Sequence, residues 1–300
     1  MELTQVYLEY KPLLFSIAYQ MTGSVTAAED LVQDIFVTVQ QQGLHEEEDT
    51  IRSLKAYLCK MITNRCIDYL RSARKQREVY TGPWLPEPLI EDGSSAASSF
   101  GRDPLQTVEL QDTVSYALLV LLERLTPVER AVFILREAFA FDYKEIAGFI
   151  NRTETGCRKI FSRLKSKIQT EPSAVGTFPT RIGPEQLVLE FLQAAGSGDM
   201  DALLALLAED IVLYSDGGGK AVAAVKPIVS NLKVLAFIQG LLKKGTGTVT
   251  PVKMNGQTGF IITGSNEPFP TVVNLDIAEN RVRQIFMLRN PDKLKHLISD

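Results

Sequence analysis

Between Leu3 and Arg77 apolar residues recur every three or four positions and do not alternate. The series runs Leu14, Ile17, Ala18, Met21, then Ala28, Leu31, Val32, Ile35, Phe36, Val39, then Leu54, Leu58, Met61, Ile62, Cys66 and Leu70. A period near 3.6 places one apolar stripe along a helix and suits no strand, so this block is predicted to be all α. Thr26, three residues before Glu29, has capping-box spacing and marks a helix start. The same period returns over residues 109–169, where Thr126, Pro127 and Glu129 supply an N-cap, a first-turn proline and a capping acid. A short helix Tyr143–Ile150, a turn at Asn151-Arg152-Thr153 and a basic helix Glu154–Ile168 then give a helix-turn-helix layout.

Residues 78–108 and 170–182 break the period with Pro, Gly and Ser and read as linkers. The first holds the single tryptophan, Trp84, between Pro83 and Leu85-Pro86, and a tryptophan in a tether suggests an anchor that docks elsewhere. From residue 183 the pattern changes. Helices are predicted at Glu185–Ala195, Met200–Ala208 and Val229–Lys244, with a strand in "DIVLYSD". Strand-like runs follow at Thr248–Lys253, Gly259–Thr263, Thr271–Asp276 and Val282–Leu288, and "NPDKLKHLI" closes as a short helix. Helices followed by an antiparallel sheet describe an α+β domain. The expected organisation is therefore 1–77, linker 78–108, 109–169, linker 170–182, and 183–300.

A net charge of −4 gives the whole chain no general attraction to nucleic acid, but the charge is segregated. Lys60–Arg77 carries six Lys and Arg against one Asp, and Asp142–Lys167 carries seven against three acids. Glu29–Asp49 carries seven acids and no Lys or Arg, and Glu78–Asp112 seven acids against one Arg. No stretch has the ~18 apolar residues of a membrane span, and none reads as a secretory leader. Cys59, Cys66 and Cys157 form no CxxC pair; they read as buried thiols in a reducing cytoplasm rather than metal ligands. No metal, cofactor or catalytic residue is expected.

"AEDLVQDIFV", "LKAYLCKMITNRCIDYLRSARK" and "LTPVERAVFILREAFAFDYKEIAGFINRTETGCRKIFSRLK" resemble regions 2 and 4 of bacterial sigma factors of the extracytoplasmic-function (ECF) group. "WLPEPL", "DGGGK" and "NPDKL" resemble the subgroup with a SnoaL-like C-terminal extension, a cystatin-like cone shared with polyketide cyclases and ketosteroid isomerases. The resemblance implies an all-α region 2, a helix-turn-helix region 4 and an α+β SnoaL-like domain. Its implied partners are core RNA polymerase, through the clamp of the largest subunit and the flap of the second-largest, and promoter DNA. It also implies that the extension regulates in place of a separate anti-sigma factor.

Glu29, Asp30, Gln33 and Asp34 offer carboxylates and an amide to a basic partner, and the resemblance makes that partner the clamp coiled coil. Lys60, Asn64, Arg65, Arg71, Arg74 and Lys75 form a basic helix face suited to phosphate tracking. By resemblance this face reads the −10 segment, with Asn64, Arg65 and Arg71 on the melted strand and Gly43–Ser53 helping to capture a flipped base. Tyr57 and Tyr69 are candidates for base stacking or for helix packing. In the basic helix, Cys157, Ile160, Phe161 and Leu164 are predicted inward and Thr155, Arg158, Lys159, Ser162 and Arg163 outward. Arg158 and Ser162 are assigned to bases of the −35 element, and Lys159 and Arg163 to phosphates or bases. Many members of the group carry Arg where this chain has Ile160, a departure that removes one expected backbone contact.

"SDGGGKAVAA" lacks the GxxxxGK[ST] spacing of a phosphate loop. Three readings stand: a flexible turn, an enzymatic or ligand-sensing cone recruiting Tyr214, Asp216, Lys220, Asp276 or His296, and a docking loop. In the last, Gly217, Gly218 and Gly219 admit another backbone closely and Asp216 and Lys220 pair across the contact. The visitor is Trp84, Leu85, Pro86, Glu87 and Pro88, with Asn290, Pro291, Asp292 and Lys293 completing the interdomain site. A small ligand in the cone and a DNA-binding regulator acting without polymerase remain open alternatives.

Overall fold

The computed structural model describes residues 3–42, 54–77, 79–90, 114–170, 184–243, 245, 247–264 and 268–297. Gly43–Ser53 and the rest of the two linkers lie outside these residues. Two compact units emerge, one of residues 1–78, 102–114 and 121–170, the other of residues 79–101, 115–120 and 171–300.

The helices of the first unit are α1 (Leu3–Thr22), α2 (Val25–Gln42) and α3 (Leu54–Arg77), joined after the linker by the end of α4 (Tyr116–Leu122), α5 (Pro127–Glu137), α6 (Tyr143–Ile150) and α7 (Glu154–Thr170). The predicted stripes are the buried ones: Leu14, Ile17 and Met21 on α1, Ala28, Val32 and Ile35 on α2, Leu58, Ile62 and Cys66 on α3. α2 starts earlier than the sequence suggests, because Ser24 Oγ, not Thr26, accepts the capping bond, from the Ala27 N–H at 3.1 Å. α5 has the expected capping box between Thr126 and Glu129. α6 has a second, between Asp142 and Glu145, and ends on Asn151 in the left-handed region at φ 51°.

Both halves of this unit share one core. α1 packs on α2, α3 and α5, and α3 packs on α5 and α6. Arg130 of α5 is 3% exposed, and its Nη1 donates to the Met21 carbonyl and to Glu123 Oε1, both at 2.7 Å. Burial pushes this guanidinium down to about 9.

The second unit opens with α8 (Pro184–Ser197) and α9 (Met200–Leu206), then β1 (Leu207–Asp216), β2 (Ile228–Val229), α10 (Asn231–Leu242), β3 (Thr248–Met254), β4 (Gln257–Thr263), β5 (Thr271–Ala278), β6 (Arg281–Leu288) and α11 (Pro291–Leu294). The sheet order is β2-β1-β6-β5-β4-β3. Two expectations are corrected. The sheet is mixed, since β1 runs parallel to β6, and residues 228–229 are a strand pairing with β1 rather than the start of the following helix. One sheet face packs Leu213, Phe260, Val273 and Ile285 with Val188, Phe191 and Val234 of the helices. The opposite face gathers Val272, Phe286 and Leu288 with Leu85, Tyr116 and Leu294. This is the predicted α+β cone, and the linker residue Leu85 belongs to its core.

Asp276 shares the second face, opposite Gln284. It is 3% exposed, and desolvation lifts its carboxyl to about 6 against the opposing pull of Arg283. A raised carboxyl pKa means that the folded state holds a proton the unfolded chain has released. Stability therefore falls as pH rises from about 4 to about 6 and stays lowered above that. Asp276→Asn should remove this dependence and raise stability at pH 7.5 by roughly 2–3 kcal/mol at 1.36 kcal/mol per unit; denaturant unfolding at pH 4.5 and 7.5 measures both.

Candidate functional sites: a linker clasp and two nucleic-acid faces

The end of β1, the turn before α11 and the linker meet around one carboxylate. Asp216 is fully buried. Its Oδ1 accepts from the Tyr80 hydroxyl at 2.5 Å and the Gly218 N–H at 3.0 Å. Its Oδ2 accepts from the Leu85 N–H at 2.8 Å and Lys293 Nζ at 2.7 Å. Lys293 also donates to the Leu85 carbonyl at 2.6 Å, and its Nζ stands 3.8 Å from the Trp84 ring centre and 5.0 Å from that of Tyr80. Asn290 Nδ2 donates to the Tyr80 hydroxyl at 2.8 Å. Burial, then the bond to Asp216, drives the Tyr80 phenol well above its ordinary value.

The glycines serve this arrangement sterically. A Cβ on Gly217 would lie 2.1 Å from the Ala221 carbonyl oxygen, and one on Gly218, whose φ is +58°, would lie 2.2 Å from Asn290 Nδ2. The Gly218 N–H is spent on Asp216, so the loop closes on its own carboxylate. Of the two charged residues expected at the contact, Asp216 reaches the linker. Asp216 pairs with Lys293 and Lys220 with Asp292, because the turn Gly217–Lys220 carries the lysine outward.

Beyond the carboxylate the linker runs on over the sheet. Leu85 is 1% exposed and Pro86, Glu87 and Pro88 are buried, whereas Trp84 is half-buried, so the buried anchor is Leu85 and Trp84 covers the Lys293 ammonium. The Pro86 carbonyl accepts from the Tyr116 hydroxyl at 2.7 Å. Leu89 and Asn255 exchange bonds at 3.0 and 3.1 Å, and Ile90 bridges Met254. Sequence reading missed Tyr80, Tyr116 and Asn255; an Asn-Gly turn and two isolated tyrosines give no signal of a partner so far away in sequence. Of the residues considered for enzymatic work, Asp216 is committed to the clasp and the Tyr214 ring stacks on Phe286 at 5.6 Å. No hydrogen bond joins Tyr214, Lys220 and Asp276 among the described residues, and the side chain of His296 lies outside them.

In the first unit, Asp30, Gln33 and Asp34 are exposed on α2 and Glu29 is half-buried. On α3, Lys60, Arg65 and Arg71 are exposed, with Arg71 paired to Asp68 at 3.1 Å. Asn64 is half-buried, and its Nδ2 donates to the Lys60 carbonyl and to the Phe149 carbonyl of α6, both at 2.8 Å. The side chains of Arg74 and Lys75 lie outside the described residues. Tyr57 is half-buried and Tyr69 is 36% exposed. On α7, Thr155, Arg158, Lys159, Ser162 and Arg163 are all exposed, while Cys157, Phe161 and Leu164 are buried. Ile160, expected inward, is only half-buried.

Sigma-70 region 2 matches residues 6–76 and sigma-70 region 4 matches residues 115–168. The ECF RNA polymerase sigma factor SigJ of Mycobacterium tuberculosis is 31% identical over 291 residues, covering 93% of this chain and 89% of its own. The crystal structure of that SigJ superposes with a TM-score of 0.75 at 27% identity, covering 98% of both chains. A probable ECF sigma factor of the same species, SigI, is 32% identical over 200 residues, covering 66% of this chain and 64% of its own.

The chain belongs to the ECF sigma factors.

Region 2 of this sigma factor is thus α1–α3, and region 4 runs from α4 to α7, closing with the helix-turn-helix. No helix among the described residues is long and apolar enough to cross a membrane. Both partners of the Asp216–Lys293 pair in the clasp are buried. Removing one partner of a buried ion pair costs about 3–5 kcal/mol, because the other charge is left uncompensated. Lys293→Met should therefore release the linker, and hydrogen exchange should show protection lost at the Leu85 and Leu89 amides while that of α1–α3 persists.

Proposed function

We propose that this sigma factor brings core RNA polymerase to promoters through its two helical regions, and that its C-terminal unit regulates it in cis by gripping the linker between them. The observation that carries the second part is the four-donor shell around Asp216, two of whose donors, Tyr80 and Leu85, come from the linker. In this reading Glu29, Asp30, Gln33 and Asp34 bind the clamp of the largest polymerase subunit, and region 4 meets the flap of the second-largest. Lys60, Asn64, Arg65, Arg71, Arg74 and Lys75 serve the −10 segment, and Thr155, Arg158, Lys159, Ser162 and Arg163 the −35 element. The role of the cone is regulatory rather than catalytic, and the protein works in the cytoplasm beside the polymerase.

The packing of the first unit adds a requirement. The names −10 and −35 place the two elements roughly 25 base pairs apart, which is roughly 85 Å at 3.4 Å per base pair. In the structure α3 touches α6 and Asn64 is bonded to it, so both elements cannot be engaged at once. Promoter binding demands that regions 2 and 4 separate, breaking the Asn64–Phe149 and Arg130–Met21 bonds. Dyes on Val37→Cys and Lys165→Cys, both exposed while the native cysteines are buried, should show high energy transfer in the free protein. Transfer should collapse when core polymerase and promoter are added; unchanged transfer in an active complex would refute the opening.

The test of regulation is transcription by purified core polymerase from a promoter library. Full-length protein is compared with Leu85→Ala, Lys293→Met and the double variant. Lys293 holds the Leu85 carbonyl and the Leu85 side chain anchors the same linker turn in the core, so their effects should overlap and the double should resemble the stronger single. Strictly additive effects would sink the clasp as the regulatory contact, and an absence of promoter-specific transcripts from every form would sink the initiation role.

A further inference from the structure

The helix-turn-helix holds an aromatic contact that the base-reading assignment leaves unused. Tyr143, the first residue of α6, is half-buried. Two guanidinium groups stand over its ring, Arg136 of α5 with its central carbon at 4.8 Å and Arg158 of α7 at 4.7 Å. Arg136 is itself fixed, its Nη1 donating to the Phe141 carbonyl at 2.9 Å. The Tyr143 ring is braced by Phe161, whose ring meets it at 68° with centres 6.0 Å apart. One ring thus links three helices, and one of the cations over it belongs to the side chain proposed to read the −35 element.

The other contacts of Arg158 define how it is presented. Nε and Nη2 both donate to Glu154 Oε1, at 3.1 and 2.6 Å. This uses the side edge of the guanidinium. The terminal edge, Nη1 with the second proton of Nη2, carries no hydrogen bond among the described residues. That terminal fork is the geometry that pairs with O6 and N7 of guanine in the major groove. An arginine on an exposed helix face ordinarily spreads over many rotamers and loses that freedom on binding. Here a carboxylate holds one edge and an aromatic ring has its centre 4.7 Å from the guanidinium carbon, so part of the loss is met before DNA arrives.

We infer that Tyr143 is a positioning residue for −35 recognition: its ring holds Arg158 in the conformer that reads one base pair, without touching DNA itself. The inference rests on the proposed role of Arg158. The ring acts through its π face, so shape and electrostatics can be separated. Phenylalanine keeps the quadrupole, leucine removes it, and pentafluorophenylalanine keeps the shape while reversing its sign.

The experiment uses full-length protein with core polymerase on promoters randomised across the −35 segment, sequencing the templates that are transcribed. Arg158→Ala should flatten the preference at one base pair by about tenfold, the scale of one bidentate arginine–guanine contact. Tyr143→Leu and pentafluorophenylalanine at position 143 should flatten the preference at that same pair by about threefold to tenfold. Tyr143→Phe should retain it, and the salt dependence of all four should match the wild type except for Arg158→Ala. If Arg158→Ala changes no base preference, the assigned role of Arg158 is wrong. If Arg158→Ala does change it while the fluorinated ring behaves as wild type, the positioning role is wrong. A Tyr143→Leu protein that loses transcription equally on all templates has lost packing, and the fluorinated ring, which preserves packing, then decides alone.

Discussion

The buried carboxylate of Asp216 is the constraint around which the second unit is assembled. Moving a carboxylate from water into a protein interior costs several kcal/mol unless nearly every lone pair finds a donor. Asp216 finds four: a phenol, two backbone amides and an ammonium. Each donor imposes a structural condition. The Gly218 amide requires the left-handed loop that only glycine fills easily. Lys293 requires the turn started by Asn290 and Pro291. Tyr80 and the Leu85 amide require the linker. The charge thus converts three segments distant in sequence into one site, and a partly made site would leave it stranded. A contact of this type closes or opens as a whole, which is the behaviour a regulatory joint needs.

A second buried charge shapes the first unit. Arg130 spends its Nη1 on the Met21 carbonyl at the end of α1 and on Glu123. The orphan carbonyls of a helix end need donors, and here the donor comes from the other sigma region. A helix end in region 2 is thereby completed by region 4, which explains why two regions separated by a long acidic linker share a core.

Much of the fold was legible because it follows from period and punctuation. The helices of regions 2 and 4 showed in the recurrence of residues such as Ile17, Val32 and Ile62, and the start of α5 in Thr126-Pro127. The outward set on α7 came from the same rule, and Ile160 deviated because it sits at the margin of the stripe. Illegible were the contacts that depend on tertiary closure. Ser24 outcompetes Thr26 as a cap through local backbone geometry that spacing does not encode. The parallel pairing of β1 with β6 depends on topology, not on alternation. The ion-pair partners of Asp216 and Lys220 are Lys293 and Asp292, distant positions that spacing within the loop does not name. Trp84 drew attention by its rarity, yet burial went to its neighbour Leu85, which enters the hydrophobic cluster while the half-buried indole lies over the Lys293 ammonium.

Within the proposed function, the same linker geometry bears on how far the two regions can part. Tyr116 begins α4, and its hydroxyl is held by the Pro86 carbonyl. While that bond stands, the ends of the segment from residue 87 to residue 115 are pinned together, however long the segment is. Once Tyr116 lets go, the 25 residues from 91 to 115 can extend to at most roughly 90 Å at 3.3–3.6 Å per residue. That limit is close to the roughly 85 Å between promoter elements. In this reading release of Tyr116 is a first condition for the regions to part, and residues 171–183, a second tether of 13 residues, bound how far region 4 can move while the Asp216 site stays closed. The clasp then has two separable parts. The charged end, around Asp216 and Lys293, keeps the linker attached to the cone. The tyrosine end sets whether region 4 is free to leave, and its release breaks a neutral hydrogen bond and exposes the buried Tyr116 ring and Ala117 rather than a buried charge.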